Sequence, residues 1–160
     1  MQVGTPVSAV RAHEEMFAYW ASRRQGGQLP GRSAIHPQHF KRHLPTISLI
    51  DVLAEPRDYR LRLAGTGLYG VYGREITGRT LEDVYAAPAS AYWRAELDKI
   101  VESRRAGVGV HNLAWRGAAH LSILWLRMPL ATNGQDVDMI LGYDVVVGQS
   151  TESASGIRAA

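Results

Sequence analysis

Thr46-Ile47-Ser48-Leu49-Ile50-Asp51-Val52-Leu53, Glu55-Pro56-Arg57-Asp58 and Tyr59-Arg60-Leu61-Arg62-Leu63 form the stretch that decides the fold. The first run is apolar, β-branched and of strand length, which reads as a buried strand. Glu55 to Asp58 is turn chemistry, with Pro to fix φ and Asp to bond its own backbone. The third run alternates: Tyr59, Leu61 and Leu63 point one way and Arg60 and Arg62 the other, the period of a strand with one wet face. Two strands joined by so short a turn pair antiparallel, which excludes a doubly wound parallel sheet.

Further along, Val108–Trp115 and His120–Leu130 flank Arg116-Gly117-Ala118-Ala119 and read as a second hairpin. Asn133-Gly134 carries a type I′ turn signal and leads into a last strand, Val137–Val147. There Val137, Met139, Leu141, Tyr143, Val145 and Val147 share one face, while Asp138 and Asp144 take the other, read as solvated. The Gly-rich segment 65–87 is irregular. A helix over about 88–106 follows, with Tyr92, Trp93, Leu97, Ile100 and Val101 as its stripe. At the front, Val10, His13, Phe17 and Trp20, with Met16 and Tyr19 beside them, mark a helix over 9–24 that ends at Gly26-Gly27. Ser33 and Pro37 suit the cap and first turn of a short helix. Two strands, a helical insert and three strands make an α+β domain. It has a five-stranded antiparallel sheet, the insert on one face, and an N-terminal helix outside it.

A helix of about 15 residues is marginal alone in water, so its apolar side must be covered. Val10, Met16, Phe17 and Trp20 are therefore expected at the interface of a two-fold homodimer or at a partner protein. The alternative is the outer face of the chain's own sheet, which carries Arg60, Arg62 and Asp138 beside Ile140 and Val146.

With 160 residues, 46% of them hydrophobic and 21% charged, the chain fits one domain over 9–147. Residues 1–8 read as a flexible N-terminus and 148–160, polar and small, as a disordered tail. There is no cysteine, which removes disulfides, thiolate nucleophiles, thiolate metal sites and cysteinyl adducts together. The net charge is +3 and the pI 9.4, but the basic residues are scattered and form no stripe, so no nucleic-acid partner is expected. No apolar run reaches membrane-spanning length and no signal peptide is read at the N-terminus, so a cytoplasmic location without membrane contact is expected.

Gly65-Thr66-Gly67-Leu68-Tyr69-Gly70 has the spacing of a dinucleotide-binding loop. Its preceding strand alternates with Arg, and Gly70 and Gly73 interrupt the helix that should follow. Backbone turning off the sheet is the better reading. His36, His39 and His43 would align on one helical face, a spacing compatible with a divalent metal, but no carboxylate lies in the segment. Exposed titrating histidines, with no metal, are expected. No nucleophile elbow or H-E-x-x-H occurs.

The chain also resembles a family of short, stand-alone bacterial PAS domains. The resemblance is carried by Tyr19-Trp20 with Arg23, Leu29-Pro30, Arg32-Ser33, Leu44-Pro45, Asp51-Val52, Tyr59 through Thr66, Gly73-Arg74-Glu75-Ile76-Thr77-Gly78, Leu126–Leu130 and Ile140-Leu141-Gly142. It implies a sensory or regulatory module that binds a small molecule or a protein partner and has no catalytic residue. The other class open to this architecture is a small-pocket enzyme, isomerase- or hydratase-like, which would need an ionisable group in the pocket. Tyr69, Tyr72, Trp93, Trp115, Trp125 and Tyr143 are the large amphipathic residues that would either fill the core or wall a ligand pocket. Haem-binding relatives use a His on the long helix and light-sensing flavin relatives a Cys. Residues 88–106 contain no His and the chain no Cys, which leaves a small, apolar, non-covalent ligand or none.

Overall fold

A computed structural model describes residues 6–148. The expected hairpin is present: β1 (Ile47–Leu53) pairs antiparallel with β2 (Asp58–Ala64). With β3 (Gly107–Leu113), β4 (Ala118–Leu130) and β5 (Met139–Gly148) it makes one antiparallel sheet in the order β2-β1-β5-β4-β3. The insert comprises α2 (Leu68–Tyr72), α3 (Leu81–Val84) and α4 (Ala89–Ser103). Thr80 caps α3, with Asp83 bonding back to the Thr80 backbone.

The β1–β2 ladder slips between Leu49 and Ile50: Leu63 sits opposite Leu49, but Leu61 sits opposite Ile50. Arg62 is thus the extra residue of a bulge, and a bulge re-aims whatever follows it. Tyr59 and Leu61 stay buried on the insert side. Leu63, expected beside them, is turned to the opposite face and is 45% exposed.

Gly65 and Gly67 sit where β2 leaves the sheet. A Cβ at Gly65 would lie 2.5 Å from the Pro45 carbonyl oxygen, and one at Gly67 2.9 Å from it. The chain leaving β2 therefore crosses the chain entering β1 at a distance only glycine permits. Asn133-Gly134 does not make a two-residue hairpin, since β4 ends at Leu130 and β5 begins at Met139. The Asn133 side chain instead accepts the backbone N–H groups of Gln135 and Asp136 at 2.9 and 2.8 Å. The lengthened loop is tied to the N-terminal linker through Leu29 N–H to Gly134 and Ala131 N–H to Pro30.

Two cores lie on the two faces of the sheet. On β5 they alternate: Ile140 and Asp144 face the insert, Leu141 and Tyr143 face away. The insert covers this side, so Asp144 is 1% exposed and not solvated as its spacing alone suggested. Ile140 likewise belongs to the insert-side core, not to the outer face.

α1 (Val7–Ser22) covers the outer face. The Trp20 indole donates to the Pro129 carbonyl and the His13 Nε2–H to the Leu124 carbonyl, both at 2.9 Å. Met16 and Trp20, expected at an intersubunit surface, are instead buried against the chain's own sheet. Val10 and Phe17 stay exposed. Val7 and Ser8, expected as part of a flexible end, begin α1. Pro6 is the N-cap of α1, and Gly148, expected as the start of a disordered tail, is the last residue of β5; residues 1–5 and 149–160, the remainder of that end and of the expected tail, lie outside the described residues.

Candidate functional site

The insert-side core is a packed aromatic shell built around one ion pair. β4 runs Ile123-Leu124-Trp125-Leu126-Arg127-Met128-Pro129-Leu130, an apolar strand interrupted by a single charge. Alternation sends Ile123, Trp125 and Arg127 to the insert side. Arg127 reaches Asp144 on β5, Nη1 to Oδ1 at 2.7 Å, with both residues buried. Burial by itself would lower the Arg127 pKa, and the adjacent carboxylate overrides it and holds the guanidinium protonated.

Rings close over this pair. The Arg127 guanidinium lies 4.7 Å from the Trp93 ring centre and 6.0 Å from that of Trp125. Trp93, on α4, packs on Trp125 at 5.2 Å and on Tyr85 at 5.7 Å. Tyr85 meets Trp115 at 5.1 Å and Tyr72 at 5.7 Å. The Tyr85 hydroxyl donates to Tyr72, and Tyr72 donates to Asp144, each at 3.2 Å. Burial pushes both phenols well above their ordinary pKa, so they remain donors. At the β3 edge, a Cβ on Gly109 would run into the Trp125 ring at 2.6 Å, so this glycine lets the indole lie flat on the strand.

Among the described residues four polar atoms of this shell are buried with no hydrogen-bond partner in good geometry: Trp93 Nε1, Trp115 Nε1, His111 Nε2 and Arg127 Nε, the last in a guanidinium that lies beside the Tyr85 hydroxyl. Three of those residues adjoin directly, since Trp93 meets His111 at 5.5 Å and lies 4.7 Å from the Arg127 guanidinium. A buried donor or acceptor left without a partner costs about 1–3 kcal/mol, so four such atoms in one shell call for an explanation.

Of the six aromatics read from the sequence, Tyr72, Trp93, Trp115 and Trp125 come together here. Tyr69 is 58% exposed and is not part of the buried core. Tyr143 lies on the other face of the sheet, under α1, because it is one residue out of phase with Asp144. Arg127, Tyr85 and His111 had no place in the sequence-derived site. The signal that marks Arg127 is a lone guanidinium inside a continuous apolar run.

A second constellation lies on the outer face. His43 Nδ1 pairs with the Tyr143 hydroxyl at 2.8 Å, His43 Nε2 with Glu15 at 3.0 Å, and Glu15 also holds Arg42. The Arg42 and His43 bonds keep the Glu15 carboxyl below its usual range. This line fastens α1 to the segment before β1 and to β5. His43 is therefore buried, in contrast to the three exposed histidines expected, because the segment Pro37–Thr46 is a kinked 3-10 helix and not an α-helix. His39 turns instead to the Tyr19 hydroxyl at 3.0 Å. No cluster of three or more metal-ligating side chains occurs among the described residues.

A five-stranded antiparallel sheet with a helical insert over one face defines the class of a sensor-domain fold, and comparison with known proteins agrees. A family model described as a PAS domain matches residues 8–145, and the chain belongs to that family of sensory and regulatory domains. No curated protein matches it in sequence. Among solved structures, a light-oxygen-voltage protein of Rhodobacter sphaeroides is similar with a TM-score of 0.51 and 17% identity, over 74% of this chain and 72% of that one. An RNA-binding light-oxygen-voltage receptor is similar with a TM-score of 0.54 and 16% identity, over 78% of this chain and 38% of that one. The PAS domain of a protein from Colwellia psychrerythraea gives a TM-score of 0.50 and 13% identity, over 69% and 95%. At these identities the likeness is one of fold.

Proposed function

We propose that this PAS domain senses a small molecule held non-covalently among the insert-side aromatics, which part to admit it, and that it signals without catalysis. The observation that carries the reading is the set of four buried, unpartnered polar atoms around the Arg127–Asp144 pair. A compact, largely apolar molecule bearing one or two acceptor atoms would satisfy them. A carbonyl or carboxylate facing Arg127 Nε and the indole N–H groups is the simplest such ligand.

Flavin and haem suit these residues poorly. The rings of Trp93, Trp125, Tyr85 and Trp115 pack on one another, so any ligand enters by parting them, and a planar tricycle would demand the largest displacement. No cysteine is present for an adduct, and α4 has no histidine to ligate iron.

Native mass spectrometry of the full chain tests the reading, alongside titration with small aromatic carboxylates followed by tryptophan fluorescence. The expected result is a discrete added mass that is lost on denaturation, or a saturable fluorescence change that Trp115→Phe, which removes an unpartnered N–H and leaves the ion pair intact, weakens. Bare polypeptide mass together with unresponsive fluorescence overturns it.

We infer further that output passes through self-association, with no nucleic-acid or membrane partner, and that the protein works in the cytoplasm. The support is an apolar strip on the α1 side of the sheet. Val108 and Val110 on β3 are 64% and 54% exposed, and they pair with Leu126 and Leu124, the strand that α1 lies across. Val10 and Phe17 add to this strip from α1. Among the described residues no helix is long and apolar enough to cross a membrane.

A further inference from the structure

We propose a second ligand site, on the opposite face of the sheet from the aromatic shell, that takes a medium-chain carboxylate. A cleft of about 260 Å³ opens between the 3-10 segments that follow α1 and the β2 edge of the sheet. Its floor and walls include Ile35, Phe40, Leu49 and Leu141, all buried, and Leu63 stands at its lip. Eight of its nine lining residues are apolar, and the ninth is Arg32.

Two independent features point to an occupant. The first is the bulge at Arg62, which takes Leu63 out of the insert-side core and leaves it 45% exposed on this cleft. Bulges of this kind re-aim side chains beside binding sites, and an edge-strand leucine left uncovered is otherwise a liability. The second is charge. Arg32 is exposed and has no ion-pair partner among the described residues; it makes one hydrogen bond, from Nη1 to the Ile35 carbonyl at 3.0 Å. That bond holds the guanidinium at the cleft and leaves donors for a carboxylate.

The two together fix the ligand class: an apolar tail for the cleft and one anionic head for Arg32. At about 30 Å³ per water-sized group, the cleft takes roughly eight to ten carbons. A ligand there would touch Phe40, whose ring packs on Tyr19 of α1 at 5.1 Å, so the occupied state reaches the same helix that carries Val10 and Phe17.

Isothermal titration of the full chain with hexanoate, octanoate, decanoate and dodecanoate, below their micelle concentrations, tests the site. Affinity is expected to rise about fourfold per methylene, the factor that burying one CH₂ (~0.8 kcal/mol) gives, and to level off beyond about ten carbons. Decanol should bind at least tenfold more weakly than decanoate. Arg32→Gln, an exposed change that leaves thermal unfolding unaltered, should bring decanoate down to the decanol level, and Leu63→Asp should abolish binding. Absence of binding, retention of full decanoate affinity by Arg32→Gln, or a rise with chain length that never levels off each overturns the proposal. So does a Leu63→Asp variant that keeps its ligand affinity but loses self-association, because the cleft would then be a contact between copies. None of these outcomes bears on the insert-side shell, which lies across the sheet.

Discussion

Arg127 and Asp144 meet on a diagonal and not across a rung of the sheet: the ladder sets Arg127 opposite Gly142 and Asp144 opposite Trp125. The guanidinium therefore lies over the backbone of Gly142, the one neighbour with no side chain to obstruct it. Both charges are fully buried, so their attraction is set against a large desolvation cost.

Removing one partner alone should be severe. Arg127→Met or Asp144→Leu leaves an uncompensated buried charge and should cost about 3–5 kcal/mol, whereas the double replacement should be close to neutral. Urea unfolding of the three variants measures this. A double variant as damaged as either single one would show that the pair is held by more than its own charge balance.

Gly142 gives a second test of the same geometry. A Cβ there would run into Ser48 Oγ and come within 3.1 Å of Arg127 Nη1. Gly142→Ala should destabilise by about 1–3 kcal/mol as an overpacking change, and Ser48→Ala in the same chain should recover part of it. Equal stability of wild type and Gly142→Ala would mean that the guanidinium lies elsewhere.

The architecture was legible because period-2 alternation at Tyr59–Leu63 and turn chemistry at Glu55–Asp58 are local signals. The sheet order followed from them and from the resemblance. What was not legible was which face each strand turns to the insert. A single bulge residue, Arg62, reversed Leu63, and the aromatic shell took in Asp144, which polar spacing alone assigns to solvent. A charge on a strand is solvated or buried according to what packs over it, and that is decided by Trp93 and Tyr85, far away in sequence. The covering of α1 was open for the same reason. Its stripe required burial, and only the outer core of Leu126, Met128 and Tyr143 shows that the chain itself covers Met16 and Trp20.

Stability should fall on mild acidification. Burial pushes both His13 and His111 below the ordinary histidine value of 6.5. Each then binds fewer protons folded than unfolded once the pH drops to that value. Their contribution is complete above it and is lost as the pH falls through 6.5 towards the folded values. The urea midpoint should be level from about pH 8 to 7 and decline from there to about pH 5, above the range where carboxylates titrate. His13→Gln with His111→Phe should flatten that decline. A midpoint independent of pH over this range in the wild type would show that neither imidazole is held neutral.

Self-association should depend on the uncovered residues of the outer face and not on the covered ones. Val108, Val110, Val10 and Phe17 are exposed on the side of the sheet that α1 occupies, whereas Met16 and Trp20 already pack on β4 and β5. A two-fold contact that joins α1 of one copy to the β3 edge of the other would bury both sets at once, since an isologous interface uses each patch twice. It would also cover the edge strand β3, whose outward valines invite pairing. Sedimentation of the intact chain should show a dimer at tens of micromolar. Phe17→Asp or Val108→Asp should return it to the monomer with thermal unfolding nearly unchanged, because surface changes of this kind cost within about 0.5 kcal/mol of fold stability. Trp20→Ala, by contrast, should lower stability by about 3–5 kcal/mol, as the loss of a buried aromatic does, whatever the oligomeric state. An intact chain that remains monomeric well above micromolar concentration excludes the dimer and leaves these valines free for a different protein.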